Sequence, residues 1–146
     1  MNPANENFSD EVRASFAQQS IMNFIGARLS RVEPGLVEIT LAYRKDLTQQ
    51  DAFLHAGIVT TIADSACGYA AYSLMPVGSR VLSVEFKVNL LRPAAGEFFV
   101  AHAEVIKPGK TLTVVRADVF ANTGDERKLI ATMQGTMMCI RSEARP

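Results

Sequence analysis

The sequence predicts an α+β domain in which an antiparallel β-sheet wraps around one long central helix, with a short helix at the N-terminus. Three features carry this. A run rich in small residues follows His55 at helical spacing, long alternating segments fill the chain from Leu82 onward, and a Pro34-Gly35 turn separates two earlier alternating stretches. The 146 residues, 48% of them hydrophobic, suffice for one sizeable core and are too few for two.

Each element has its own signal. Ser9 with Asp10 and Glu11 has the form of a helix cap followed by first-turn acids, and Val12 and Phe16 stand one turn apart, so the spacing predicts a short helix fading near Gln19. From Gly26 the rhythm becomes alternating, and Leu36, Val37, Ile39 and Leu41 follow the turn, which predicts a hairpin. The segment after His55 is a helix with Ile58, Ile62, Ala66, Tyr69 and Ser73 along one stripe, and its many Ala and Gly residues imply close neighbours on every side. Pro76 and Gly78 end it.

Leu82, Val84, Phe86, Val88 and Leu90 then alternate strictly up to Arg92-Pro93, which predicts a long strand buried on one face. Strands are expected over 97–106, 111–121 and 128–140, separated by Lys107-Pro108-Gly109-Lys110 and Asn122-Thr123-Gly124-Asp125. The expected organisation is an N-terminal helical segment at 1–25, one domain at 26–141 and a flexible tail at 142–146. A helix only half wrapped by its own sheet needs a second copy to cover the rest, so a homodimer or a dimer of dimers is expected.

Composition excludes some classes of function. Fifteen basic and fifteen acidic side chains cancel without clustering, which argues against a nucleic-acid partner. Two cysteines, Cys67 and Cys139, and a polar N-terminal stretch fit a reduced, cytoplasmic setting. The apolar run at 56–76 holds Asp64 near its middle among Thr60, Thr61 and Ser65, so it reads as a buried helix and not a membrane span.

Asp64 is the residue that most needs a reason. An unpaired carboxylate in a stretch built for burial costs several kcal/mol, a large share of a small domain's stability. His55 lies nine positions before it, which puts the two on opposite helix faces and roughly 13 Å apart, too far for a dyad on one helix. Either one is structural, or matching residues of a second subunit complete the pair. The helix start offers free amides at Ala56 and Gly57, at the positive end of the dipole, where a carbonyl oxygen could become negative. Asp64 would then serve as general base on a water or as nucleophile toward the carbonyl carbon.

The arrangement His55-Ala56-Gly57, a six-residue gap and Asp64 resembles that of the hotdog-fold acyl-CoA thioesterases, in particular the phenylacetate-pathway-like branch of the 4-hydroxybenzoyl-CoA thioesterase superfamily. The likeness extends to Glu33-Pro34-Gly35, Leu82-Ser83-Val84-Glu85-Phe86, Arg92-Pro93-Ala94 and Lys107-Pro108-Gly109-Lys110-Thr111. It implies hydrolysis of an acyl- or aryl-CoA thioester at a dimer interface. In that scheme Asp64 is base or nucleophile, Ala56 and Gly57 polarise the thioester carbonyl through their amides, and His55 orients their loop. Ser83 helps to hold the water, and Gln49, or Gln50 in its stead, contacts the thioester or the water.

The same resemblance places Arg92, Lys107, Gly109, Lys110 and Thr111 at the phosphates of coenzyme A, which is part of the substrate, so no separate cofactor is implied. No metal is expected, since His102 has no neighbour at ligand spacing. The sequence departs from the family at Ala56, where Gly is usual, and the amide stays usable if φ there is negative. Walls of the acyl pocket are expected from the N-terminal helix around Phe16, Ile21 and Phe24. A hotdog hydratase or dehydratase, and a binding module without turnover, are the alternatives.

Overall fold

The structure is a computed structural model that describes residues 1–141; the tail expected at 142–146 lies outside the described residues. The chain runs α1 (Phe8–Ala17), α2 (Ser20–Ile25), β1 (Arg28–Glu33), β2 (Leu36–Ala42), a 3₁₀ turn (Lys45–Leu47), α3 (Ala56–Tyr72), β3 (Ser79–Leu90), β4 (Phe98–Lys107), β5 (Leu112–Thr123) and β6 (Glu126–Arg141). The strands form one sheet in the order β1-β2-β4-β5-β6-β3, with every pairing antiparallel. This is the wrapped-helix architecture that the sequence predicts.

Helix α3 has 17 residues, about 25 Å of axis, and lies across the concave side of the sheet. Ala63, Ala66, Ala70 and Ala71 are fully buried, with Val59, Ile62 and Cys67 beside them. Methyl-sized side chains let the helix backbone approach the strands closely, while Phe99, Ile39, Met133 and Met137 fill the remaining space from the sheet. Ser73 fixes the far end of the helix. Its hydroxyl donates to the Ala70 carbonyl (2.7 Å) and accepts from the Gly35 amide (2.8 Å), which ties the last turn to the β1–β2 hairpin.

Three expectations change. The cap of α1 is Asn7 and not Ser9, so the helix begins two residues earlier in the chain's polar start. A second helix, α2, follows the first, ended by Gly26 in the left-handed region (φ +79°), where glycine has no Cβ to clash. The strand expected to bury one face at strict alternation does not. β3 takes an edge of the sheet, a bulge at Val84 shifts its register between Ser83 and Glu85, and Leu82 and Leu90 are 58% and 55% exposed.

The bulge reverses which parity faces the helix: Val81 and Ser83 point inward before it, and Val88 does so after it. An alternating apolar pattern therefore bridges two faces. One consequence is that this edge presents exposed Leu82, Val84, Phe86 and Leu90 beside unpaired backbone, a surface that invites another strand.

The β4–β5 turn depends on Gly109. A Cβ there would stand 2.1 Å from the Leu112 carbonyl oxygen, and the backbone on both sides is already paired. Gly109→Ala is expected to destabilise the fold by about 1–3 kcal/mol, lowering the midpoint of urea unfolding with little change in slope. An unchanged midpoint would show that the turn yields freely.

Candidate active site

The start of α3 is held by its surroundings before it holds anything itself. The Leu54 amide donates to the Ala94 carbonyl and the His55 amide to the Leu47 carbonyl, so the chain enters the helix between two pinned loops. His55 is the N-cap, and its Nδ1 accepts from the Gly57 amide at 2.8 Å. That nitrogen is therefore unprotonated, and His55 acts as a cap in the manner of an Asn or Ser. Capping satisfies Gly57 within the chain. The Ala56 amide has no partner among the described residues, and Ala56 does not take a positive φ, so its N–H stays available despite the methyl group.

Ala56 opens onto an apolar groove of about 380 Å³, walled by Phe53, Leu90, Leu91 and Pro93 and shared with Gln49 and Arg92. The side-chain oxygen of Gln49 accepts from the Asp51 amide, which anchors the side chain in its loop and points to the amide nitrogen as the end left for a ligand. Gln50 is exposed and does not line the groove. The same loop holds Ala52 at φ +63°, the one non-glycine residue in that region among those described, with its carbonyl accepting from the Tyr43 hydroxyl at 3.0 Å. A strained residue pinned from outside keeps the Gln49 turn in one shape.

Asp64 lines a different cleft, of about 350 Å³, between α1, α3 and β3. It is half-buried, and Ser83 donates to its Oδ1 at 2.6 Å, the short distance of a hydroxyl on a carboxylate. The bulge at Val84 lets Ser83 face the helix, with Met137 Sδ at 3.4 Å behind it. A carboxylate oriented by a hydroxyl, open to solvent on one side and backed by core, suits a base for water or a nucleophile. Cys67 is no rival nucleophile. Burial first, and then the Asp64 charge, push its thiol far up, so the thiolate is suppressed.

The two clefts share no lining residue. Ala56 and Asp64 are eight residues apart on one helix, about 12 Å of rise, so no small group can touch both in a single chain. The residues expected at the nucleotide also divide. Arg92 lies at the end of the sheet near the start of α3, one guanidinium N–H donating to the Leu129 carbonyl at 2.7 Å. Lys107, Gly109, Lys110 and Thr111 lie at the opposite end, near the end of α3, so one chain alone does not unite them. His102 faces Glu38 across β4 and β2, Nδ1 to Oε1 2.7 Å, as an ordinary strand pair.

The wall of the Asp64 cleft differs from expectation. Phe16 is buried in the core, and Ile21 and Phe24 are exposed; Ser15, Gln18 and Gln19 line the cleft instead. The Gln18-Gln19 pair at the end of α1 was the available signal, since two amides at a helix end beside apolar residues are free to face a cavity. Among the described residues no helix is long and apolar enough to cross a membrane.

The sequence profile described as the thioesterase superfamily matches residues 51–128, a span running from the Gln49 loop through α3 to the start of β6. A relative from Saccharolobus solfataricus, which carries a provisional esterase name, is 34% identical over 90% of this chain and 85% of its own. The crystal structure of a thioesterase family protein from Silicibacter pomeroyi superposes with a TM-score of 0.91 at 52% identity, covering 92% of this chain and 99% of that one. The PaaI protein of Escherichia coli, from the phenylacetic acid degradation operon, shares the fold at a TM-score of 0.83 and 20% identity, over 94% and 96% of the two chains.

Proposed function

The chain belongs to the thioesterase superfamily and is a hydrolase of the hotdog fold, and from that premise we propose that it hydrolyses acyl-CoA thioesters at a site completed by a second copy of itself. One observation carries the reading: the open Ala56 amide and the Ser83-held Asp64 are both built for acyl transfer, yet they open into separate clefts of one chain. Two copies related by a two-fold axis bring the amide of one to the carboxylate of the other, and the unpaired apolar edge of β3 is a surface on which they can meet.

In this scheme the thioester carbonyl sits at the Ala56 N–H, with the helix dipole adding to its polarisation. Asp64 of the other copy removes a proton from water or attacks the carbonyl carbon, and Ser83 holds the carboxylate in line. The Gln49 amide nitrogen, which shares the groove with Ala56, meets the thioester or the water. The apolar groove past Leu90 and Leu91 takes the pantetheine arm and leads to Arg92. Lys107, Lys110, Gly109 and Thr111 would reach the same nucleotide only from the second copy, because an antiparallel meeting of the two β3 edges sets opposite sheet ends side by side. His55 supports this as the cap that shapes the turn.

A thiol-release assay across short, medium, long-chain and aryl acyl-CoAs is expected to give turnover on at least one class. Tight binding of intact acyl-CoA with no thiol released would identify a binding module instead.

A further inference from the structure

A glycine stands inside α3 where nothing crowds it. Gly68 has no positive φ, and a Cβ built on it meets no atom within 4 Å outside its own turn of helix. Every other glycine of the chain has a reason, either a positive φ or an atom within 3.1 Å of the place a Cβ would take. The crowded face of α3, against the sheet, carries Ala63, Ala66, Ala70 and Ala71, all fully buried, so alanine fits even there. Alanine is the better helix former, yet the roomier side of the same helix goes without it. The single chain gives that missing methyl group no steric cause.

The space over Gly68 belongs to the Asp64 cleft, and the other α3 residues lining that cleft are Asp64 itself and residues beyond it. Asp64, Gly68 and Tyr72 follow one another at four-residue intervals on the half-buried face of the helix. The floor of the cleft therefore runs along α3, with Gly68 one turn, about 6 Å, past the carboxylate. Residues of α1 and β3 wall it on either side, and its volume of about 350 Å³ is that of a small-molecule pocket. An acyl group whose carbonyl lies by Asp64 and which extends along this floor crosses Gly68. An extended chain advances about 1.2 Å per bond, so the crossing falls about five carbons from the carbonyl.

We propose that Gly68 is a specificity-determining residue: the acyl group passes over bare helix backbone at this position, and the missing side chain is what admits acyl groups longer than about five carbons. This rests on the acyl-CoA reading above and narrows it to acyl groups that reach past the first helical turn. A chain lying on Gly68 packs against backbone atoms at van der Waals distance and takes the space that a Cβ would occupy. An added methyl group would overlap that chain without touching Asp64 or Ser83, since neither lies within 4 Å of the Cβ position. The glycine then weakens the free helix and serves the bound state, a division found where activity conflicts with stability.

The test compares kcat/KM for decanoyl-CoA, 4-phenylbutanoyl-CoA and butanoyl-CoA in wild type, Gly68→Ala and Gly68→Leu, beside the melting temperature and solution mass of each protein. The first two acyl groups span the depth of Gly68, and butanoyl stops short of it. Gly68→Ala is expected to raise the melting temperature by about 2–4 °C, because the methyl group meets empty space and lowers the entropy of the unfolded chain. The same change is expected to lower kcat/KM for the two larger substrates, relative to butanoyl-CoA, by about tenfold, and Gly68→Leu by about 100-fold. A purely structural glycine would leave that ratio alone. A wild type that hydrolyses butanoyl-CoA alone, or a ratio unchanged in both variants, overturns the proposal. So does a fall in melting temperature with loss of the oligomer in Gly68→Ala, which would make the glycine a seat for the second copy. Absence of turnover on every thioester would instead defeat the acyl-CoA reading. In that event calorimetric binding of decanoyl-CoA and butanoyl-CoA decides whether Gly68 selects, and an affinity ratio equal in wild type and Gly68→Leu would sink it.

Discussion

Asp64→Asn is expected to lower kcat by two to four orders of magnitude, about 10²–10⁴-fold, with little change in melting temperature. The side chain keeps its shape, and its oxygen can still accept from Ser83, so the half-buried position stays filled and hydrogen-bonded. Only the proton-accepting or nucleophilic charge is lost. The measurement is thiol release under saturating substrate beside circular-dichroism melting of the same samples. A variant that melts normally and turns over at the wild-type rate would remove Asp64 from the chemistry.

Ala56→Pro is expected to cost about 10²–10³-fold in kcat, the usual consequence of deleting one donor to a developing oxyanion. This substitution isolates a single hydrogen. Ala56 is the first residue of α3, a position where proline is favoured, and His55 before it has φ −60° and ψ 138°, angles that a residue preceding proline adopts readily. The helix therefore survives while the open N–H disappears. Mixing the two inactive variants then probes the composite site. In randomly assorted dimers half the molecules are mixed, and each of these holds one intact carboxylate opposite one intact amide, so activity should return to roughly a quarter of wild type. Failure of the mixture to recover activity after subunit exchange, verified by mass, would place both groups in one chain.

Much of the fold was legible because the patterns that encode it are local. The small-residue run after His55 reads as a helix because its apolar residues recur at helical spacing, and the Pro34-Gly35 turn needs the left-handed φ of +78° that Gly35 takes. The strands β4, β5 and β6 fall within a few residues of where alternation and turn chemistry put them. The α2 helix escaped notice because six residues are too short to show a period, and only its closing Gly26 marked the end.

The site was legible in part. Asp64 stood out as an acid in apolar company, and the helix start as a source of amides. Sequence could not show that His55 already satisfies the Gly57 amide, which leaves Ala56 as the open donor, because that depends on a side-chain rotamer 2.8 Å from its neighbour. Nor could it show that Ser83 faces Asp64. Strict alternation puts Ser83 opposite the apolar positions of its strand, and the bulge at Val84 is what turns it toward the helix.

Apart from α2, the sequence by itself determined the element types, their order, the single core and the identity of the one acid that needed explaining, since these follow from periodicity and from the cost of burying charge. The tertiary structure decided what meets what: Ser83 with Asp64, Gln49 in one groove with Ala56, and Arg92 far from Lys107. Those pairings join residues distant in the chain, and they are set by strand register and by a one-residue bulge. A register shift of one position exchanges the two faces of a strand without altering any local pattern, so no local pattern could have foretold them.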